Sequence, residues 1–189
     1  MAELHSLSKL PRTGWLLAGV ENAETVAIHC YETAIFAYLL SRQMDEEVDI
    51  GKVLLMALFH EVGETRLADL PRRAAPYIKE AKNDAEERIA ADVLDGLADD
   101  LPEILHEFHE RKTLEARLAE AAEELQIIFA AAMYAKESNG DMSEYRRDAA
   151  KYDSYGIESA EAVGAVVRDR IESYTSGKPY WEIGYRRRA

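Results

Sequence analysis

A single cysteine, Cys30, stands in the whole sequence, so no disulfide can close within the chain. That suits a reducing compartment, and the expectation is a cytoplasmic protein. Aromatic residues make up only 8% of the chain, and no segment shows a convincing alternation of apolar and polar residues, which argues against a sheet. Long apolar runs are missing too. The best, residues 53–59 and 127–133, are far too short to cross a bilayer. Residues 14–20 faintly imitate a signal peptide after Lys9 and Arg12, but Glu21 and Glu24 follow at once and mark them as core material. Basic residues are in deficit, 23 against 36 acidic, for a formal charge of −13. Such a surface argues against nucleic-acid polymers and anionic membranes as partners. With five prolines and ten glycines, no Gly-, Pro- or Ser-rich linker is long enough to mark a boundary, and residues 1–189 read as a single domain.

What the chain has is helical periodicity. Val26, Ala34, Ile35, Tyr38 and Leu39 recur at spacings of three and four, predicting a helix over 25–42 with Asn22 or Thr25 as cap. Asp49 caps a second over 50–62, apolar nearly all round and therefore central. Gly63 and Pro71 break the pattern, and Pro76 predicts an irregular stretch. Asn83 or Asp84 with Glu86 and Glu87 resembles a capping box opening a helix to about 97. Further helices are predicted over 102–110, 113–136 (capped by Thr113 and stopped at Asn139-Gly140), 143–151 and 154–174, with a tail over 175–189. The expected architecture is all-α, a compact orthogonal helical bundle.

His60-Glu61 closes the apolar run, and Glu64 follows. In a continuous helix His60 and Glu64 share a face, while Glu61 points about 100° away. The mixed nitrogen and oxygen donors suit Mn, Fe, Co, Ni or Zn better than Ca. A His-Glu-x-x-His zinc motif is excluded, because position 64 is Glu. Taken alone, a buried His-Glu pair is more often a hydrogen-bonded core pair than a metal site.

Other candidates have bland readings. His29 sits on an apolar helix and reads as a core histidine. Glu123 lies near the buried stripe Leu118, Ala122, Leu125 and Phe129; turned inward it needs a cation, while Glu124 reads as solvated. Glu103-x-x-His106 matches one ligand pair of a di-iron bundle, but a second pair is missing, so His106 and His109 read as surface polar groups. Tyr145, Tyr152, Tyr155, Tyr180 and Trp181 read as core or interface aromatics. Arg66, Arg72 and Arg73 form a local basic excess after the His-Glu pair, whereas Arg186-Arg187-Arg188 reads as a solvated end.

In order along the chain, His29, His60-Glu61 and Glu123 resemble the His, His-Asp, Asp ligand pattern of the HD superfamily of phosphohydrolases. Pro11-Arg-Thr-Gly-Trp15 with Val20-Glu-Asn22 resembles the N-terminal motif of its 5′-deoxynucleotidase-like branch, and the segment from Gly63 to Pro71 resembles the stretch carrying that branch's Glu and Asp. The resemblance spans about residues 7–136. It implies an HD-type helical fold, usually homodimeric, and one divalent transition metal held by His29, His60, Glu61 and Glu123. It implies cleavage of nucleoside 5′-monophosphates, chiefly deoxy, with Glu64 and Asp69 catalytic and Arg12 and Trp15 binding substrate. Both ligand carboxylates are Glu where the family has Asp, and Ile28 and Cys30 flank His29 where the branch commonly has an acidic residue and Ser. Two rival readings follow: a non-catalytic HD-fold module that binds a nucleotide or dimerises, and a helical di-metal oxidase.

Overall fold

The structure, a computed structural model, describes residues 1–137 and 140–175. Among these, ten α-helices are present and no strand: α1 (Ala2–Ser6), α2 (Thr13–Leu17), α3 (Val26–Ser41), α4 (Ile50–Phe59), α5 (Glu64–Leu67), α6 (Ala75–Leu94), α7 (Leu101–Glu110), α8 (Leu114–Glu137), α9 (Ser143–Ala149) and α10 (Glu158–Thr175). An isolated antiparallel bridge between Pro11 and Thr25 sets the segment carrying Arg12 beside the start of α3.

Three expected caps form. The Thr25 side chain accepts from the Ile28 N–H, Asp49 from Lys52 and Thr113 from Ala116. The axis of the molecule is α8, packed on α3, α4, α7 and α10. Small residues at the contacts, Ala116, Ala119, Ala121, Ala122 and Ala131, are fully buried and let the neighbouring helices approach closely. Leu118 and Leu125 are fully buried between them, each contributing roughly 1.5–3 kcal/mol by leaving water. Phe36 and Phe129 meet edge to face at 5.5 Å across α3 and α8.

Three expectations need correction. The second helix stops at Phe59, not at 62. Residues 75–82 are not irregular: α6 begins at Ala75, with Pro76 in its first turn, where a missing N–H costs nothing. The capping-box pattern at Asn83 therefore lies inside a helix. The first turns of α6 are largely exposed (Tyr77 is 86% exposed), so no apolar stripe announced them. The last helix begins at Glu158, after a turn in which Tyr155 has positive φ. Of the apolar positions on α3, Val26 and Ala34 are buried, while Ile35, Tyr38 and Leu39 are exposed alongside Ile28 and Tyr31. Asn139, Tyr180, Trp181 and the arginines at 186–188 lie outside the described residues.

Candidate metal centre and its cavity

The end of α4 builds the site. Hydrogen bonds switch from the helical spacing to three-residue spacing, Val62 N–H to Phe59 O and Glu64 N–H to Glu61 O, so the chain tightens into a turn before α5. Glu61 nonetheless reaches the same cluster as His60, its Oε1 lying 3.9 Å from His60 Nε2. His60, Glu61 and Glu64 are all buried; Glu61 and Glu64 line one cavity, and Glu61 also stands in one donor cluster with His60. His29 enters from the first turn of α3 and Glu123 from the middle of α8.

His29, His60, Glu61 and Glu123 each offer one donor atom, and these atoms lie within 4.8 Å of one another. The tautomers are set by outer partners. His29 Nδ1 lies 2.6 Å from Gln126 Oε1, and the Gln126 amide is oriented by donating to Glu24 (2.8 Å) and Glu32 (3.0 Å), so Nδ1 is the protonated nitrogen. His60 Nδ1 donates to the Ala57 carbonyl at 2.9 Å. The two Nε2 lone pairs then face each other at 3.2 Å with no proton between them. Two donors each about 2.1 Å from a common ion lie at most about 4.2 Å apart. The imidazole pair meets that limit, as does Glu61 Oε1, 3.9 Å from each Nε2. The donor set fits a first-row divalent ion with small adjustment of Glu123.

Charges around the cluster are arranged for the same end. Burial pushes both imidazoles down, with Arg12 adding to the effect, so both are neutral at neutral pH, as ligation requires. Burial pushes Glu61 up, but His60 and Arg12 pull it net well below the usual carboxylate range; with the imidazole neutral, the permanent charge of Arg12 is what counts at neutral pH. Burial and the Glu61 charge push Glu123 up, the mark of a carboxylate short of a cation. Glu64 is pushed far up by burial, with Glu61 and Asp69 adding to it.

Arg12 Nη1 donates to Glu61 Oε1 at 2.8 Å and lies 3.5 Å from Asp69. Asp69 accepts the Thr13 N–H, and its carbonyl accepts the Thr13 hydroxyl at 2.8 Å. The residue before it, Ala68, sits at φ 60° and ψ 168°, a region open essentially to glycine. That strained residue turns the chain so that Asp69 reaches the N-terminus of α2. Trp15 is buried, stacked on Tyr145 at 4.1 Å, and its indole N–H donates to Glu24.

A cavity of about 430 Å³ opens beside the cluster, lined among others by Arg12, Trp15, Glu64, Asp69, Glu123 and Tyr145. All eight residues singled out from the sequence thus converge. The structure adds three the sequence reading missed: Gln126, one turn beyond Glu123 on the same face of α8, and the Lys82–Glu86 pair of α6, whose Nζ–Oε1 distance is 2.8 Å. The i,i+3 spacing to Glu123 was a signal for the first. Glu124 is not simply solvated, since it accepts the Tyr155 hydroxyl at 3.1 Å. His106 pairs with Glu87 at the surface and belongs to no group of three or more such donors among the described residues, which removes the basis for the di-metal oxidase.

The profile of the HD domain matches residues 4–163. Among curated relatives, 5′-deoxynucleotidase HDDC2 of Dictyostelium discoideum is 29% identical over 140 residues, covering 69% of this chain and 73% of that protein. The human protein of the same name is 28% identical over 133 residues, 68% of this chain and 63% of its own length. Among solved structures, a conserved hypothetical protein from Pyrococcus furiosus superposes with a TM-score of 0.78 at 28% identity, covering 89% of this chain and 96% of that one. A predicted metal-dependent phosphohydrolase from Magnetospirillum magnetotacticum gives 0.68 at 24% identity, covering 93% and 89%.

Proposed function

The chain belongs to the HD domain family, and from that premise we propose that it is a divalent-metal-dependent phosphohydrolase cleaving nucleoside 5′-monophosphates, chiefly deoxy, to nucleoside and phosphate. The observation that carries the reading is the pair of imidazole lone pairs converging at 3.2 Å beside two carboxylates at the wall of a polar cavity. The proposal treats residues 1–189 as one HD-type domain.

In this reading His29, His60, Glu61 and Glu123 hold one ion of the Mn, Fe, Co, Ni or Zn type, which when bound supplies Lewis-acid polarisation of the phosphoryl group and a water of lowered pKa. Glu64, kept protonated by burial beside Glu61 and Asp69, is the general acid that delivers a proton to the leaving 5′-oxygen. Asp69, fixed by Thr13 and Arg12, orients the attacking water. Arg12 contacts phosphate with guanidinium N–H groups beyond the one given to Glu61, and Trp15 with Tyr145 walls the side where the nucleoside packs. The longer Glu61 side chain, relative to the family's Asp, reaches both Arg12 and the ligand cluster, which supports a working site.

A homodimer formed through the outer face of α3 is part of the proposal. Ile28, Tyr31, Ile35, Tyr38 and Leu39 are each 40–58% exposed on that one helix, an apolar strip that water disfavours. A reducing, cytoplasmic setting fits the buried free thiol of Cys30. No helix among the described residues is long and apolar enough to cross a membrane. The test is phosphate release from a panel of deoxynucleoside and ribonucleoside 5′-monophosphates by protein stripped of metal and reloaded with Mn, Co, Ni or Zn. Turnover of deoxynucleotides is expected. Folded protein that is inert with every metal, yet stabilised by nucleotide, would favour the non-catalytic module instead.

A further inference from the structure

Arg12, the cation nearest the metal ligands, keeps N–H groups for a phosphate, but its single charge is already shared with two carboxylates: its Nη1 serves Glu61 and lies 3.5 Å from Asp69. A phosphate dianion entering the cavity therefore needs a second cation. Arg72 is 58% exposed and held by Asp148, and Arg111 is held at 2.6 Å by the buried Glu120. Lys82 is different. It lines the cavity with its side chain 26% exposed, and its ammonium lies 2.8 Å from Glu86 and 4.0 Å from Glu64.

Glu61, Glu64 and Glu86 form a second buried group of carboxylates within ligand range of one another, and Lys82 is the cation set against two of them. Its placement is built into the backbone. A Cβ on Gly63, in the turn after the His-Glu pair, would lie 2.6 Å from Glu86 Cγ and 3.0 Å from its Cα, so only glycine lets α6 dock this tightly. Glu86 is thereby pinned against the metal turn, and Lys82 is set one helical turn away over the cavity. A lysine has the properties an anchor needs here, a compact charge with three donors on a flexible four-carbon stem.

We propose that Lys82 is the phosphate anchor of this site, parked on Glu86 at rest and moving onto a phosphoryl oxygen when substrate enters. The inference rests on the phosphohydrolase reading for the identity of the anion, but its binding test does not require turnover. Wild type, Lys82→Met (which keeps the stem) and Lys82→Arg, each loaded with Mn and matched for metal content, are titrated with inorganic phosphate and separately with deoxyadenosine.

Lys82→Met is expected to weaken phosphate by about tenfold or more and leave the neutral nucleoside unchanged, with Lys82→Arg recovering part of the loss. The same factor is expected in KM for a deoxynucleotide. Phosphate affinity within about twofold of wild type in a folded Lys82→Met protein overturns the proposal, as does an equal loss for phosphate and nucleoside, which marks a merely structural role. Nucleotide turnover with no Lys82 dependence would reject the anchor and keep the hydrolase. Lys82-dependent phosphate binding without any turnover would do the reverse.

Discussion

The amide of Gln126 decides whether His29 can be a ligand. Its oxygen lies 2.6 Å from Nδ1, and two carboxylates fix its orientation, so Nε2 faces the cluster with a free lone pair. This support comes from α8 and does not depend on Ile28 and Cys30, which flank His29. Gln126→Leu should fold, because the space is filled, and should lower metal affinity by about 10–100-fold, measured by competition with a fluorescent chelator. Unchanged affinity would remove Gln126 from the account.

Glu64 yields a second prediction. Its carboxyl is raised, so above the ordinary carboxylate range the folded protein keeps a proton that the unfolded chain has lost. Stability contributed through this group therefore falls as pH rises through that window. Glu64→Gln abolishes the titration. In metal-free protein its stability to urea should gain on wild type by about 1 kcal/mol or more between pH 6 and pH 9. Parallel profiles would contradict a buried, protonated Glu64.

Residue types and their order were legible in the sequence: two histidines and two carboxylates, with Glu64, Asp69, Arg12 and Trp15. Their partners were not, because Gln126 and Lys82 acquire meaning only once α3, α6 and α8 face one cavity.

Among the elements, helix starts were readable where a side chain caps them, at Thr25, Asp49 and Thr113. The early end of α4 was not, since nothing local in an apolar run followed by His-Glu announces a switch to three-residue hydrogen bonds. The start of α6 was hidden because its exposed first turns carry no periodic stripe. Where α6 meets the metal turn, Gly63 is the contact that tolerates no side chain. Gly63→Ala, helix-compatible by propensity, should instead cost about 1–3 kcal/mol through overpacking and should also weaken phosphate binding by displacing Lys82. Urea denaturation with a phosphate titration checks both. A neutral or stabilised variant would mean that α6 docks more loosely.

For the molecule as a whole, the all-helical class and the HD type were legible in the residues alone, and the match to that domain over residues 4–163 bears both out. Hydrophobic periodicity does not say what a stripe faces: Val26 and Ala34 of α3 are buried, while Ile35, Tyr38 and Leu39 face outward. Sedimentation should show a dimer at micromolar concentration, and Tyr31→Glu with Ile35→Glu should yield folded monomer. A wild-type monomer at high concentration would refute the α3 interface. The net charge of −13 keeps such a surface soluble and sends binding to the local cations of the cavity rather than to the exterior.

We propose above all that one divalent ion, held by His29, His60, Glu61 and Glu123, makes this chain a nucleotide phosphohydrolase. The most direct test is to titrate metal-free protein with Mn or Co while following phosphate release from a deoxynucleoside 5′-monophosphate. Activity should rise with added metal, saturate at one equivalent per chain and be absent in His60→Ala. Saturation at two equivalents, or no phosphate released at any loading of folded protein, would contradict it.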